Sequence, residues 1–231
     1  MKIVRFLVEG KKDVCFLRAL FSVRFPCLRY EGEPEGSKEG ALFYSKTYSV
    51  EVVPVGGYTK LGNVKSSAED KMGVGLRVAL IFDADVTGAE HGGVAARTKF
   101  LNGVVSAWKN EAPPSDPIEM FLLPDNSRDG ELEDLLEDIV PQRFHPFIAE
   151  CWRRYEQCLE VHGGERPSQK SKMNDYEAAV LGPVVWEYGG INKGLMNTDI
   201  WDWHSSKLSP LVEFIANQLS FSGGDTAAQL T

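Results

Sequence analysis

The stretch RVALIFDAD, residues 77–85, decides the fold class of this 231-residue chain. Its run of five apolar residues predicts a buried β-strand. The run stops at two carboxylates, Asp83 and Asp85, which are separated by one alanine. In open α/β sheets, ligands bind beyond the carboxyl ends of the strands, so acidic residues at this point indicate a ligand site.

Apolar runs and helical patterns alternate along the rest of the chain. Further strands are predicted over Lys2–Val8 and over residues 49–55 and 117–125. Helices are predicted over residues 12–23, 94–110, 132–139, 144–161, 172–181 and 208–219, whereas the polar, glycine-rich residues 29–40 predict a loop. This alternation predicts an α/β fold with a Rossmann-like, mostly parallel sheet flanked by helices.

The organisation favours one domain over residues 1–231. In this interpretation residues 1–140 form the core sheet, and residues 141–231 form a helical extension that decorates the C-terminal side. No apolar run approaches the roughly 20 residues that span a membrane. The N-terminus lacks a signal-peptide pattern, so we expect a cytoplasmic protein without a membrane partner.

The composition narrows the function classes. A net charge of −8 argues against a protein that coats nucleic acid with a basic surface. It does not exclude a nuclease, because acidic metal sites add negative charge that bound cations offset. The four cysteines form no CxxC pair, and the four histidines have no mutual ligand spacing, so no zinc site is predicted.

Acidic residues follow three of the predicted strands. The first strand ends at Glu9, with Asp13 one helical turn later, and the third ends at Asp83 and Asp85. The fourth leads into LLPDNSRDGELEDLLED, which includes Asp125, Glu131, Glu133 and Asp134. Carboxylates brought into one crevice repel each other unless a cation or a proton lies between them. Oxygen ligands favour Mg²⁺ or Mn²⁺ over Zn²⁺.

Each of these features also has a purely structural interpretation. Glu9-Gly10 is a common strand-to-helix turn, and Asp13 could complement the positive end of a helix. The segment ELEDLLED is typical of a solvated helix face. Trp186, Tyr188, Trp201 and Trp203 could stack bases, but we expect such aromatic residues to pack a helical lobe onto the sheet.

The order of the acidic motifs resembles the Toprim domain of topoisomerases, primases and OLD-type nucleases. VEGKKD and LIFDADVTG match its glutamate after the first strand and its DxD after the third. GELED at residues 130–134, Lys172 in SKMNDYEAAVLG, and DIWDWHSSKLSPLVEFIANQL resemble the OLD-like, stand-alone branch. The resemblance therefore extends over nearly the whole chain.

The resemblance implies a metal-dependent nuclease with two Mg²⁺ or Mn²⁺ ions. Its metal ligands would be Glu9, Asp13, Asp83, Asp85 and Glu133. The residues that act in catalysis would be Glu9, Asp83, Asp85 and Lys172, with the lysine stabilising the transition state.

Lys11, Lys12 and Lys170 would contact nucleic acid, with DNA expected rather than RNA. OLD nucleases usually carry an ATPase domain, and this chain has no GxxxxGK[ST] loop, so a separate ATPase is the expected partner.

Two other functions stay open at the level of the sequence. DADVT also fits the DxDx[TV] pattern of haloacid-dehalogenase-type phosphatases, in which Asp83 would be the nucleophile and Asp85 the acid/base. The chain could instead be a regulatory subunit or a toxin-like effector that keeps the Toprim fold without catalysis.

Overall fold

The structure of the chain is a computed structural model that describes residues 2–35, 39–64, 76–111, 117–182 and 193–219. The strands are β1 Lys2–Val8, β2 Arg29–Gly32, β3 Ala41–Tyr44, β4 Tyr48–Pro54, β5 Leu76–Asp83 and β6 Glu119–Leu123. The α-helices are α1 Lys11–Arg24, α2 Val94–Glu111, α3 Leu132–Asp138, α4 Arg153–Val161, α5 Gln169–Leu181, α6 Lys193–Met196 and α7 Ser209–Leu219. Short 3-10 helices cover Tyr58–Val64, Gln142–Phe144 and Ser206–Leu208, and a π-helical turn covers Phe147–Trp152.

The strands form one sheet in the order β2-β3-β4-β1-β5-β6. The pairs β1/β4, β1/β5 and β5/β6 are parallel, whereas β2/β3 and β3/β4 are antiparallel. The predicted α/β fold with a mostly parallel sheet and C-terminal helices is thus confirmed. Because β1 and β5 are neighbours and run in the same direction, their carboxyl ends lie side by side at one edge of the sheet.

Alternate residues of β1 belong to two hydrophobic cores, one on each face of the sheet. Phe6 and Val8 belong to a core that α1 and the C-terminal helices cover, whereas Leu7 belongs to a second core with α2. This alternation is the period of two that a strand buried on both faces requires. β1 is therefore held from both sides, and the position of Glu9 beyond it is well fixed.

The expected packing role of the tryptophans is confirmed where the structure describes them. Trp201 and Trp203 are each only 2% exposed. The rings of Trp203 and Phe16 on α1 are 5.5 Å apart, and those of Trp201 and Tyr176 on α5 are 5.2 Å apart. These residues join the C-terminal helices to the sheet. Trp186 and Tyr188 lie outside the described residues.

The prediction of a loop over residues 29–40 was partly wrong. Arg29–Gly32 forms the edge strand β2, which pairs with β3, a strand that the sequence did not predict. Alternate residues of β2 are exposed, so its sequence shows none of the apolar enrichment that predicts a strand. No helix among the described residues is long and apolar enough to cross a membrane.

Replacing Phe21 by alanine should lower the free energy of unfolding by about 3–5 kcal/mol. The ring is fully buried and lies 6.0 Å from Phe6, 5.6 Å from Phe25 and 5.0 Å from Phe43, measured between ring centroids. Urea denaturation measures the change. Val161→Ala, at a residue that is 80% exposed, is the control and should change stability by less than about 0.5 kcal/mol. Equal effects of the two substitutions would contradict this description of the core.

Candidate functional site

The turn after β4 holds the backbone of Glu9. The carbonyl oxygen of Glu9 accepts hydrogen bonds from the N–H groups of Gly56 at 3.0 Å and Gly57 at 2.9 Å. Both glycines have positive φ angles, +78° and +109°, which other residues rarely adopt. The two glycines of GGYTK therefore fix the first acidic residue at the mouth of the sheet, a role that the sequence analysis missed.

The side chain of Glu9 is partly buried and incompletely bonded. Its Oε2 atom is buried and has no hydrogen-bond partner among the described residues. Burial raises the pKa of Glu9, against the opposing effects of the Arg97 charge and of the backbone N–H groups of Tyr58 and Asp83. One oxygen of this carboxylate is thus available to a ligand or a proton.

Asp13 lies in the first turn of α1, directed back toward the end of β1. Its Oδ2 atom accepts a hydrogen bond of 2.7 Å from the backbone N–H of Gly10. Burial raises the pKa of Asp13 to about 7, and the negative charges of Glu9 and Glu133 add to that effect, which the bond from Gly10 opposes. Asp13 is therefore both a cap of α1 and a member of an acidic cluster.

Asp83 is the last residue of β5 and lies at the centre of this cluster. Its Oδ1 atom accepts a hydrogen bond of 2.8 Å from the backbone N–H of Leu132 at the start of α3. The pKa of Asp83 is raised well above its ordinary value, first by burial and then by the charges of Asp13, Glu9 and Glu133. The structure thus brings together four predicted carboxylates from three separate parts of the chain.

Glu133 completes the cluster and forms an ion pair with a lysine of α1. Its side chain is 6% exposed, and its Oε1 atom lies 3.0 Å from the Nζ atom of Lys12, whose side chain is 13% exposed. Lys12 therefore points into the cluster in this structure, toward a carboxylate and away from solvent. We define the acidic cluster as Glu9, Asp13, Asp83 and Glu133.

Gly130 positions α3 against the end of β5. Its backbone exchanges two hydrogen bonds with that of Asp85, at 2.8 and 3.1 Å, and its φ angle is +145°. A β-carbon on Gly130 would stand 2.6 Å from Oδ2 of Asp134. The glycine of GELED is therefore required for the close approach that brings Glu133 to Asp83.

Asp85, a predicted metal ligand, forms an ion pair with an arginine of α2. Asp85 has a left-handed backbone conformation, with φ of +57°, and its Oδ2 atom pairs with the guanidinium of Arg97 on α2. Arg97 is fully buried, and its guanidinium carbon lies 3.6 Å from the centre of the Tyr58 ring. The burial of Arg97 could not be predicted, because an arginine within a helix pattern normally indicates a solvated position.

The predicted functional lysines differ in their surroundings. Lys172 forms an ion pair of 2.7 Å with Glu137, and Lys11 forms an exposed one of 2.6 Å with Glu39. Lys170 is exposed, and its charge lowers the pKa of Glu131, which burial and neighbouring carboxylates raise overall. Lys170 therefore acts on the acidic start of α3, whereas Lys172 pairs with a glutamate near the end of that helix.

The donor chemistry of the acidic cluster fits a hard divalent cation. Its ligands are all carboxylate oxygens, which Mg²⁺ and Mn²⁺ prefer, and Glu9 contributes a buried oxygen without a partner. Within the described residues, no three acidic, histidine or cysteine side chains already stand in the arrangement of a metal site. Because Lys12 pairs with Glu133, a metal ion would compete with its ammonium group for that carboxylate.

The chain belongs to the family described as "Protein of unknown function (DUF3226)", which matches residues 4–219. No curated protein sequence matches the chain. A crystal structure of a hypothetical protein from Pyrococcus horikoshii OT3 is similar, with a TM-score of 0.62 and 16% identity. The similarity covers 95% of this chain and 100% of the other. At this identity it shows a shared fold.

In the presence of a chelator, the Asp13→Asn variant should gain thermal stability relative to the wild type as the pH rises. The folded-state pKa of Asp13, about 7, lies above its ordinary value of 3.8, so its contribution to stability is present at low pH and is lost as the pH rises through about 7. Asparagine can keep the bond from Gly10 but has no charge to bury. Melting temperatures of both proteins from about pH 4 to pH 8 measure this difference. A difference that stays constant over that range would contradict the raised pKa.

Proposed function

We propose that the chain is a Mg²⁺- or Mn²⁺-dependent phosphodiesterase of the Toprim type that acts on nucleic acid. The observation that carries the proposal is the acidic cluster, in which separate elements crowd four carboxylates at one sheet edge. Burial together with mutual repulsion raises the pKa of Asp13 and of Asp83. Such an arrangement destabilises the fold, and strongly perturbed groups of this kind concentrate at functional sites.

Glu9, Asp13, Asp83 and Glu133 would hold the metal. A bound divalent cation would lower the pKa of a water molecule and offset charge on a phosphate. Glu9 is the best placed of the four to accept a proton, because its Oε2 atom has no partner among the described residues and burial raises its pKa.

A lysine that stabilises the transition state is the second element of the proposal. The resemblance assigns this role to Lys172, which would have to leave Glu137 in order to reach a substrate. Lys12 already lies at the acidic cluster through its bond to Glu133. Once a metal neutralises Glu133, the ammonium of Lys12 is free to contact a phosphate oxygen, so both lysines are candidates.

Positive residues near the cluster support a polyanionic substrate. Lys60 lies over Gly56, its Cδ and Nζ atoms 3.6 Å from the point where a β-carbon on that glycine would stand. With Lys11 and Lys170 it could position a phosphate backbone, which basic side chains bind without reading its sequence. We propose DNA as the substrate and a separate ATPase as a possible partner.

A non-catalytic Toprim-like subunit is the second candidate function. It is favoured by the internal cations of the site, because Lys12 pairs with Glu133 and Arg97 pairs with Asp85. These pairs offset part of the negative charge without a metal. A purified chain that binds a partner ATPase and cleaves no nucleic acid would favour this candidate.

The phosphatase alternative receives less support from the geometry. It requires Asp85 to donate and accept a proton, but Arg97 holds this carboxylate in an ion pair. A neighbouring guanidinium favours the charged form of a carboxylate, which opposes its use as a general acid.

The purified chain should cleave plasmid DNA in millimolar Mg²⁺ or Mn²⁺, and Asp83→Asn should abolish cleavage. The same ions should raise the melting temperature of the wild type, because they bind only the folded state. Asp83→Asn should lose this rise as well, since it removes the central carboxylate. Gel assays on plasmid and RNA measure cleavage, and differential scanning fluorimetry measures melting.

The matched control is Asp138→Asn, which also replaces an aspartate by asparagine. Asp138 is the last residue of α3 and pairs with Arg128. It should retain both cleavage and the metal-dependent rise in melting temperature. Equal behaviour of the two variants would place the metal elsewhere. Cleavage of small phosphomonoesters alone, with a covalent adduct on Asp83, would support the phosphatase instead.

A further inference from the structure

We propose that the site binds one divalent cation, and that Arg97, held by Asp85, is a fixed internal cation in place of a second metal. This inference rests on the proposed function and deepens it, since it assigns different roles to the two aspartates of DAD. Asp83 would be a metal ligand. Asp85 would be a positioning residue that acts through Arg97.

The backbone directs the two aspartates apart. Asp83 ends β5 and receives the N–H of Leu132 on its Oδ1 atom, next to the acidic cluster. Asp85 has a φ angle of +57° and is fixed by its paired backbone hydrogen bonds with Gly130. The Oδ2 atom of Asp85 pairs with the guanidinium of Arg97 on α2, on the other side from the start of α3 that bonds Asp83. The carboxylate of Asp85 therefore faces a different part of the site.

Arg97 occupies that part of the site with a fixed positive charge. Its guanidinium is fully buried, pairs with Asp85, and lies 3.6 Å from the centre of the Tyr58 ring. Tyr58 directly follows the Gly56-Gly57 turn that bonds the backbone of Glu9, so the guanidinium lies beside that turn. A buried guanidinium deprived of its carboxylate would be strongly destabilising, and a metal that took Asp85 would have to overcome that loss.

Arg97 retains hydrogen-bond donors that the described residues do not satisfy. Its Nε and Nη1 atoms are buried without hydrogen-bond partners among the described residues, as is Oε2 of Glu9. Unsatisfied donors and an unsatisfied acceptor of opposite charge thus lie in one region. A single cation on the cluster side leaves this arrangement intact, whereas a second cation beside Asp85 would face the guanidinium at close range and be repelled.

Titration of the chelator-treated protein with Mn²⁺, followed by electron paramagnetic resonance and calorimetry, tests the inference. The wild type should bind one Mn²⁺ per chain, with the spectrum of an isolated ion. Asp85→Asn should keep one ion and weaken its binding by no more than about a hundredfold, as for a residue that contacts the ion only through another. Asp83→Asn should weaken binding by well over about a hundredfold, beyond the range of such indirect effects.

Two bound ions with coupled spins in the wild type would overturn the inference and leave the proposed function standing. Loss of binding in Asp85→Asn equal to that in Asp83→Asn would also overturn it. Arg97→Met should allow a second ion to bind beside the freed Asp85. The stoichiometry of the wild type decides the question even if that variant fails to fold. A wild type that binds no Mn²⁺ would overturn both the inference and the proposed function.

Discussion

Repulsion among buried carboxylates is the constraint on which the functional interpretation of this structure depends. Glu9, Asp13, Asp83 and Glu133 meet where β1 and β5 end. The charges of Glu9 and Glu133 raise the pKa of both Asp13 and Asp83, and the charge of Asp13 also raises the pKa of Asp83. The rest of the fold holds these groups in place. β1 is buried on both faces, the Gly56-Gly57 turn fixes Glu9, and Gly130 brings α3 against β5. The carboxylates are therefore held by buried and hydrogen-bonded elements despite their mutual repulsion.

The cations of the site divide its carboxylates into two groups. Lys12 approaches the acidic cluster through Glu133 and retains a flexible stem that can move when a metal neutralises its partner. Arg97 is fully buried against Tyr58 and stays with Asp85. A mobile ammonium and a fixed guanidinium have different consequences. The ammonium of Lys12 can leave Glu133 when a metal ion binds and can then contact a phosphate. The guanidinium of Arg97 keeps a fixed positive charge beside Asp85.

Much of the fold could be predicted from the sequence, because the central strands bury nearly every residue. Lys2–Val8 was predicted with its observed bounds, and β5 was predicted from the same apolar run that ends at Asp83. The edge strand β2 could not be predicted, because alternate residues face solvent and its stability comes from pairing with β3. For the site, strand ends predicted the convergence of Glu9 and Asp83. The pairing of Asp85 with Arg97, twelve residues further along the chain, and the positive φ angle of Asp85 have no local pattern that indicates them.

The most direct test of the account is anomalous diffraction from a crystal of this protein soaked in Mn²⁺. The account predicts an anomalous peak within coordination distance of carboxylate oxygens of Glu9, Asp13, Asp83 and Glu133, with the ammonium of Lys12 displaced from Glu133. A peak at other acidic residues, such as Asp125 or Asp129, with the acidic cluster empty and Lys12 still bound to Glu133, would contradict it.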